Sequence, residues 1–267
     1  MLSIEEIRLL IEKLQKLKGT DFDRLIGSNL KILKDLELTL QKSDEHLITN
    51  ETKNVAWYLA DLNYKKERPL ITDLLYNTIQ KKIWQFGRSN EFSSLEIGPG
   101  NGQFSMDFRA WKSNYFVDII PGYKKMIRKL FNHQHYKYLH FLETTAGNSD
   151  MSTLPQGSCN FVFSWDTFVF FTLSHIKQYL HEINRILIPG GFVFIQYADC
   201  HYDHDLNEAK RSYWQYNTKY NMSKMIKDEG YEVVEMHQFC PGANYAIFRK
   251  SGKQNPVAYK VSELTLD

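Results

Sequence analysis

In the first third of the chain, apolar residues recur at helical spacing. Ile4, Ile7, Ile11 and Leu14 share one face of a segment that opens with Ser3 and Glu6 in a capping-box spacing and closes at Gly19. A leucine-rich stretch over 21–42 predicts a second helix. Leu70, Ile71, Leu74, Leu75, Ile79 and Ile83 predict another, begun by Pro69 and stopped near Gly87. The pattern leaves three uses open for this stripe: a cap over a later domain, an arm pairing two copies of the chain, or ordinary core packing. From residue 94 the texture changes. Short β-branched and aromatic runs at 94–97, 115–119, 139–142, 161–164 and 192–197 alternate with helical patterns near 103–111, 123–131 and 175–187. This alternation predicts an α/β fold, a mainly parallel sheet with helices on both faces. After a helix ending near Gly230, the runs 231–239 and 244–249 flank Cys240-Pro241-Gly242 and predict a terminal antiparallel hairpin. The expected division is a helical region over 1–82, an α/β domain over 83–250 and a tail over 251–267.

Composition narrows the classes. The 267 residues carry 33 Lys plus Arg against 31 Asp plus Glu, a net charge of +2, with both signs interspersed. That balance argues against a partner bound by phosphate neutralisation, so no long nucleic acid is expected. With 43% hydrophobic and 14% aromatic residues, the chain can bury a sizeable core. Acidic residues stand where a secretory leader would be basic, and no long uncharged apolar segment occurs; a cytoplasmic protein without a membrane span is expected. Cys159, Cys200 and Cys240 are far apart and odd in number, which supports neither a disulfide framework nor a CxxC metal cluster.

The segment Leu95-Glu96-Ile97-Gly98-Pro99-Gly100-Asn101-Gly102-Gln103 reads as strand, glycine-rich turn and helix start. Glycines there let the backbone turn sharply at the end of the first strand and approach a bound nucleoside. A dinucleotide-binding fingerprint would put its third glycine at Gln103; the spacing here is G-x-G-x-G, with Glu96 two residues ahead. Asp118 ends the next strand about 20 residues on, where a carboxylate can accept hydrogen bonds from both ribose hydroxyls.

On these residues the chain resembles the class I S-adenosylmethionine-dependent methyltransferases. The resemblance extends through Ser149-Asp150-Met151 before Leu154-Pro155, through 160–166, and through Arg185-Ile186-Leu187-Ile188-Pro189-Gly190-Gly191. It implies a Rossmann-like methyltransferase sheet closed by an antiparallel hairpin, preceded by an N-terminal helical extension. It also implies S-adenosylmethionine as cofactor, held by Glu96, Gly98, Pro99, Gly100, Gly102, Asp118, Ile119, Asp150, Met151, Ser164 and Trp165. Within that set, Glu96 would attract the methionine ammonium, Asp118 would hold the ribose, and Asp150 with nearby backbone would read the adenine. Trp165 has two readings, lying along the cofactor or packing in the core. Phe170-Phe171 stand where many small-molecule members have a histidine, and Ser164-Trp165-Asp166-Thr167 replaces the Asn-Pro-Pro-Tyr of adenine N-methylases.

Methyl transfer to an alcohol needs a general base in addition to alignment. Candidates at strand ends are Asp166, after the fourth strand, and His201 and His204 in Asp199-Cys200-His201-Tyr202-Asp203-His204-Asp205, after the fifth. The latter run also admits a divalent metal or a plain acidic loop, but its spacing matches no metal signature and no metal is assigned. Trp57, Tyr58, Tyr64, Tyr213, Trp214, Tyr216 and Tyr220 suit an acceptor pocket or packing beneath the N-terminal helices. The expected function is O-methylation of a small polar acceptor such as a sugar, sugar nucleotide or capsule precursor. The alternatives are N-methylation of a small molecule or a catalytically silent binding protein, and a homodimer through the N-terminal helices is open.

Overall fold

The computed structural model describes residues 73–85 and 91–252, apart from 121, 146, 212 and 213, together with Glu12. The helices expected over 3–18 and 21–42 lie outside the described residues, except that Glu12 is helical. Contacts divide the chain into Met1–Lys53 and Asn54–Asp267, and the sheet lies in the second unit. Helix α1 (Asp73–Gln85) belongs to that unit and runs across the boundary expected between 82 and 83.

Seven strands form one sheet in the order β3-β2-β1-β4-β5-β7-β6. β1 (Ser93–Ile97) pairs in parallel with β2 (Ser113–Asp118) on one side and β4 (Cys159–Ser164) on the other. β3 (Leu139–Glu143) and β5 (Leu187–Gln196) extend the parallel array. β6 (Tyr231–Gln238) and β7 (Asn244–Lys250) are antiparallel, β7 inserted between β5 and β6. The chain leaves β1 toward opposite edges, so the strand order reverses between β1 and β4. Such a switch point, outside the carboxyl ends of the strands, is the usual ligand position in open α/β sheets.

Period-two alternation on strands buried from both sides builds two core layers. Leu95, Ile97, Val162, Val193, Ile195 and Phe248 face one way, against α3 (Leu173–Ile186) and α5 (Lys219–Asp228). Phe161, Phe163, Phe194, Tyr245 and Ile247 face the other, against Ile79 and Ile83 of α1 and against Phe104, Phe108 and Trp111. Thr172 and Thr218 cap α3 and α5 by accepting the amides of His175 and Asn221. A third cluster, with Phe116, Tyr123, Ile127 and Phe131, seats α2 (Tyr123–Lys129).

Three elements differ from expectation. Instead of an α-helix over 103–111 there is a single 3-10 turn, Ser105–Phe108, between further turns closed by Asp107 N–H to Phe104 O and Trp111 N–H to Phe108 O. The segment 103–112 must run back past β1, about 16 Å long at roughly 3.3 Å per residue. An α-helical rise of about 1.5 Å per residue leaves nothing for turns at its ends, whereas a 3-10 rise of ~2.0 Å does. β5 begins at Leu187 and not 192, because Leu187 already pairs with Cys159 before a register shift around Pro189-Gly190-Gly191. The run after β5 is not a loop: Asp203–Lys210 is a helix, α4, with Asp203 and Asp205 in its first turn, where acids favour the helix dipole.

Candidate active site

The glycine turn is strapped to β2. Gly98 N–H donates to Val117 O at 2.8 Å, and Gly100 N–H donates to Asp118 Oδ2 at 2.9 Å. Ile120 N–H donates to Asp118 Oδ1 at 2.9 Å, so both carboxylate oxygens of this buried residue are anchored, each with a lone pair left over. Gly98, Gly100 and Gly102 have φ of 71°, 54° and 86°, the left-handed region that glycine enters without strain. At Gly98 a methyl group would stand 2.0 Å from Thr167 Oγ1, and at Gly102 2.3 Å from Leu130 Cδ1. Glycine is thus required at both positions by conformation and by close packing. Thr167, which the sequence did not single out, is the wedge that brings the loop after β4 against the glycine turn.

Glu96 is buried, and Ser105 Oγ donates to its Oε2 at 2.6 Å. Burial pushes its carboxyl up to about 8, against the pull of Ser105. Burial also raises Asp118, opposed by its backbone donors. Pro99 is buried, and its carbonyl accepts Gly102 N–H; Ile119 is half-buried against the α2 cluster.

On the loop before β4, Asp150 is exposed and accepts Ser152 N–H at 2.8 Å, and hydrogen bonds from Ser152 hold its carboxyl below the usual range. Met151 is buried in the core. Arg185 donates to Met151 O and Leu154 O at 2.7 and 2.8 Å, which fixes this loop and gives the arginine of the R-x-L-x-P-G-G segment a structural task. Ser164 is fully buried with its hydroxyl donated to Ile97 O, so its side chain joins β4 to β1. Trp165 packs on Phe104, Phe194 and Phe239, which is the core reading of that residue.

Asp166 follows directly, and among the described residues it is the one non-glycine residue with positive φ, 55°. That conformation costs an L-residue about 1–2 kcal/mol and is least unfavourable for Asn and Asp. Its N–H donates to Gln196 Oε1 at 2.5 Å. The residue is open to solvent, its carboxylate makes no hydrogen bond among the described residues, and surrounding protein pushes its titration upward.

The two histidine candidates sit differently. His201 is exposed, with its backbone N–H on Asp199 and its ring beside Tyr202. His204 has Nδ1 3.2 Å from Asp205 Oδ1, leans on Trp214, and occupies the space a side chain at Gly242 would need, 2.6 Å from that Cβ position. Asp205 is buried and accepts Asp199 N–H and Asn244 Nδ2, which pins the start of α4 to β7. Among the described residues no group of three His, Cys, Asp or Glu side chains converges on a metal position. No described helix is long and apolar enough to cross a membrane.

Comparison with known proteins agrees with this geometry. Residues 95–195 match the model of a methyltransferase domain family. A thiol S-methyltransferase of Rattus norvegicus is 29% identical over 109 residues, 40% of this chain and 43% of that protein; the human counterpart is 28% identical over 109 residues. The chain thus spans under half the length of these curated relatives. Among solved structures, a protein from Pyrococcus horikoshii OT3 matches with a TM-score of 0.54 at 14% identity, covering 71% of this chain and 99% of that one. Geranyl diphosphate C-methyltransferase from Streptomyces coelicolor A3(2), solved with Mg2+, geranyl diphosphate and S-adenosyl-L-homocysteine, matches with a TM-score of 0.53 at 10% identity, covering 65% and 78%. At these identities the structural likeness concerns the fold, and the family model adds the sequence of the glycine turn through β5. Over residues 95–195 the chain therefore matches a methyltransferase domain, set in a sheet of the same fold as these solved structures.

Proposed function

We propose that this protein transfers a methyl group from S-adenosylmethionine to a hydroxyl of a small polar acceptor, with Asp166 taking the proton. The residues present suit the donor. Three left-handed glycines bend the backbone sharply at the end of β1, and Asp118 offers two anchored oxygens to a ribose diol. Glu96, Asp150 and the backbone around Met151 complete the proposed donor site, and residues 1–82 are proposed as a cap or a dimer arm. When bound, S-adenosylmethionine supplies an electrophilic methyl group on a positively charged sulfur. Transfer forms a carbon–oxygen bond, breaks the carbon–sulfur bond with its electron pair left on sulfur, and moves the hydroxyl proton to Asp166.

The observation that carries this reading is Asp166 itself. It stands at the switch point next to the Gly98–Thr167 contact, in a left-handed conformation, with a carboxylate free of hydrogen bonds among the described residues. His204 is occupied by Asp205 and the hairpin turn, and His201 is exposed with its ring beside Tyr202; both rank behind Asp166. A sugar or sugar nucleotide is the proposed acceptor class, in a cytoplasmic setting. A second reading, a small thiol, is favoured by the likeness to the mammalian thiol S-methyltransferases. A thiol ionises near pH 8.5 and needs little help from a base.

Labelled methyl transfer from S-adenosylmethionine to a panel of sugars, sugar nucleotides, small thiols and amines, with wild type and Asp166→Asn, tests these readings. Label on a hydroxyl acceptor, reduced by about 100-fold or more in the variant, supports the first. Label on a thiol with the variant active supports the second. Failure of well-folded protein to bind S-adenosylmethionine in calorimetry would overturn both.

A further inference from the structure

We infer that Gln196 is the positioning residue of the site: it holds Asp166 in its left-handed conformation and ties it to the turn of the β6–β7 hairpin. The inference rests on the reading of Asp166 as proton acceptor.

β4 and β5 separate after the rung that pairs Ser164 with Ile195. Beyond that rung the Gln196 side chain, and not the ladder, receives the amide of Asp166. Its Oε1 accepts Asp166 N–H at 2.5 Å and its Nε2 donates to Gly242 O at 2.8 Å. Gln196 is 4% exposed, so neither end of the amide has water as an easy substitute. Gly242 is itself left-handed, with φ 83°, and the His204 ring stands against it where a side chain would be. His204 meets Asp205, and Asp205 binds Asp199 and Asn244. One connected path thus runs from α4 through the hairpin turn and Gln196 to the backbone of Asp166. Among the described residues no hydrogen bond holds the Asp166 carboxylate, so its placement depends on its backbone, whose N–H is held by Gln196. A left-handed non-glycine residue persists only where neighbours over-determine it; Thr167 packed under Gly98 and Gln196 on the amide are those neighbours here.

The test compares Q196M, Q196N and Q196E in the full chain. Met removes both hydrogen bonds, Asn keeps the chemistry but is one methylene too short, and Glu keeps an oxygen for Asp166 N–H. Backbone 13C shifts report the conformation at 166, selective 13Cγ-Asp labelling reports its carboxyl titration, and calorimetry with S-adenosylhomocysteine reports the donor site. Q196M and Q196N are expected to lose the left-handed signature and to move the Asp166 midpoint down toward an ordinary carboxylate, with donor-site affinity within about twofold. Q196E is expected to keep the signature, which also covers failure of Q196M to fold. An unchanged signature and midpoint in both Q196M and Q196N would overturn the inference. In methyl transfer to the acceptor that takes label in the panel, Q196M should lower kcat by about 10- to 100-fold, the cost of a misplacement near 1 Å, with KM for the donor unchanged. Full transfer by Asp166→Asn defeats the base reading, while the NMR result still decides the role of Gln196. Loss in Asp166→Asn beside full activity in Q196M defeats the positioning role alone.

Discussion

Glu96 is a carboxyl that the folded chain prefers to keep protonated. Its folded value of about 8 lies above the ordinary 4.5, because burial disfavours the charge more than Ser105 stabilises it. Between those two values the unfolded chain gives up a proton that the native state retains. The contribution of this residue to stability is therefore complete below about pH 4.5, declines as pH rises, and levels off above about pH 8. Glu96→Gln removes this dependence. Urea unfolding of ligand-free protein from pH 4 to 8.5 should give similar midpoints for variant and wild type at the acid end, and a more stable variant at the alkaline end; parallel curves would refute the protonated state. On the proposed function, an ammonium group arriving beside Glu96 favours the carboxylate, so donor binding near pH 7 should release a proton. Calorimetric enthalpies would then differ between phosphate and Tris buffers for wild type and agree for Glu96→Gln. On that proposal, Glu96 is also a site where apo stability is given up for binding.

At the scale of elements, the glycine turn and the loop after β4 form one packed unit, since Thr167 fills the space under Gly98. Gly98→Ala meets two penalties, a left-handed φ of 71° worth about 1–2 kcal/mol and a methyl group 2.0 Å from Thr167 Oγ1. Adding Thr167→Gly relieves only the second. Urea midpoints should therefore fall in the single variant and recover in part, not wholly, in the double; full recovery would mean that the backbone at 98 relaxes freely. Contacts of this kind are why the site was only partly legible in the sequence. Strands β1, β2 and β4, the glycine turn and Asp118 follow from periodicity and spacing, because both arise within a few residues. Thr167, Gln196 and Ser105 act through partners that topology brings together, and Gln196 meets Asp166 only because β5 lies beside β4. By spacing, the Asp199–Asp205 run admits a base, a metal or an acidic loop; Asp203 and Asp205 open a helix and Asp205 pins it to β7, a contact that spacing without the hairpin position has no means of finding.

At the scale of the molecule, α1 supports the candidate site that it precedes in sequence. Ile79 and Ile83 are fully buried beside Phe104 and Phe108, on either side of the turn that carries Ser105. Tyr76 and Gln80 donate to the Asp107 carboxylate at 3.3 and 2.6 Å, and burial beside that carboxylate pushes the Tyr76 hydroxyl up to about 12, so it stays a donor throughout the working range. At the other end of α1, Lys82 reaches Glu235 Oε2 at 2.6 Å, and Glu235 also accepts the Tyr245 hydroxyl. The helix therefore braces the 103–112 segment against the hairpin, and Ser105 passes that support to Glu96. Truncating Ile83 to Ala should cost about 2–5 kcal/mol through the lost transfer energy and the cavity left behind. If α1 also sets the Ser105–Glu96 contact, the same variant should bind S-adenosylhomocysteine more weakly, although Ile83 lies in the core layer and not at the glycine turn. Ligand that binds only the native state raises the unfolding midpoint by mass action, so the comparison is the ligand-induced shift in each protein at equal concentration. A smaller shift in Ile83→Ala supports the brace. An equal shift on a lower baseline would make α1 part of the core alone, and would leave Glu96 governed by the glycine turn and its own burial.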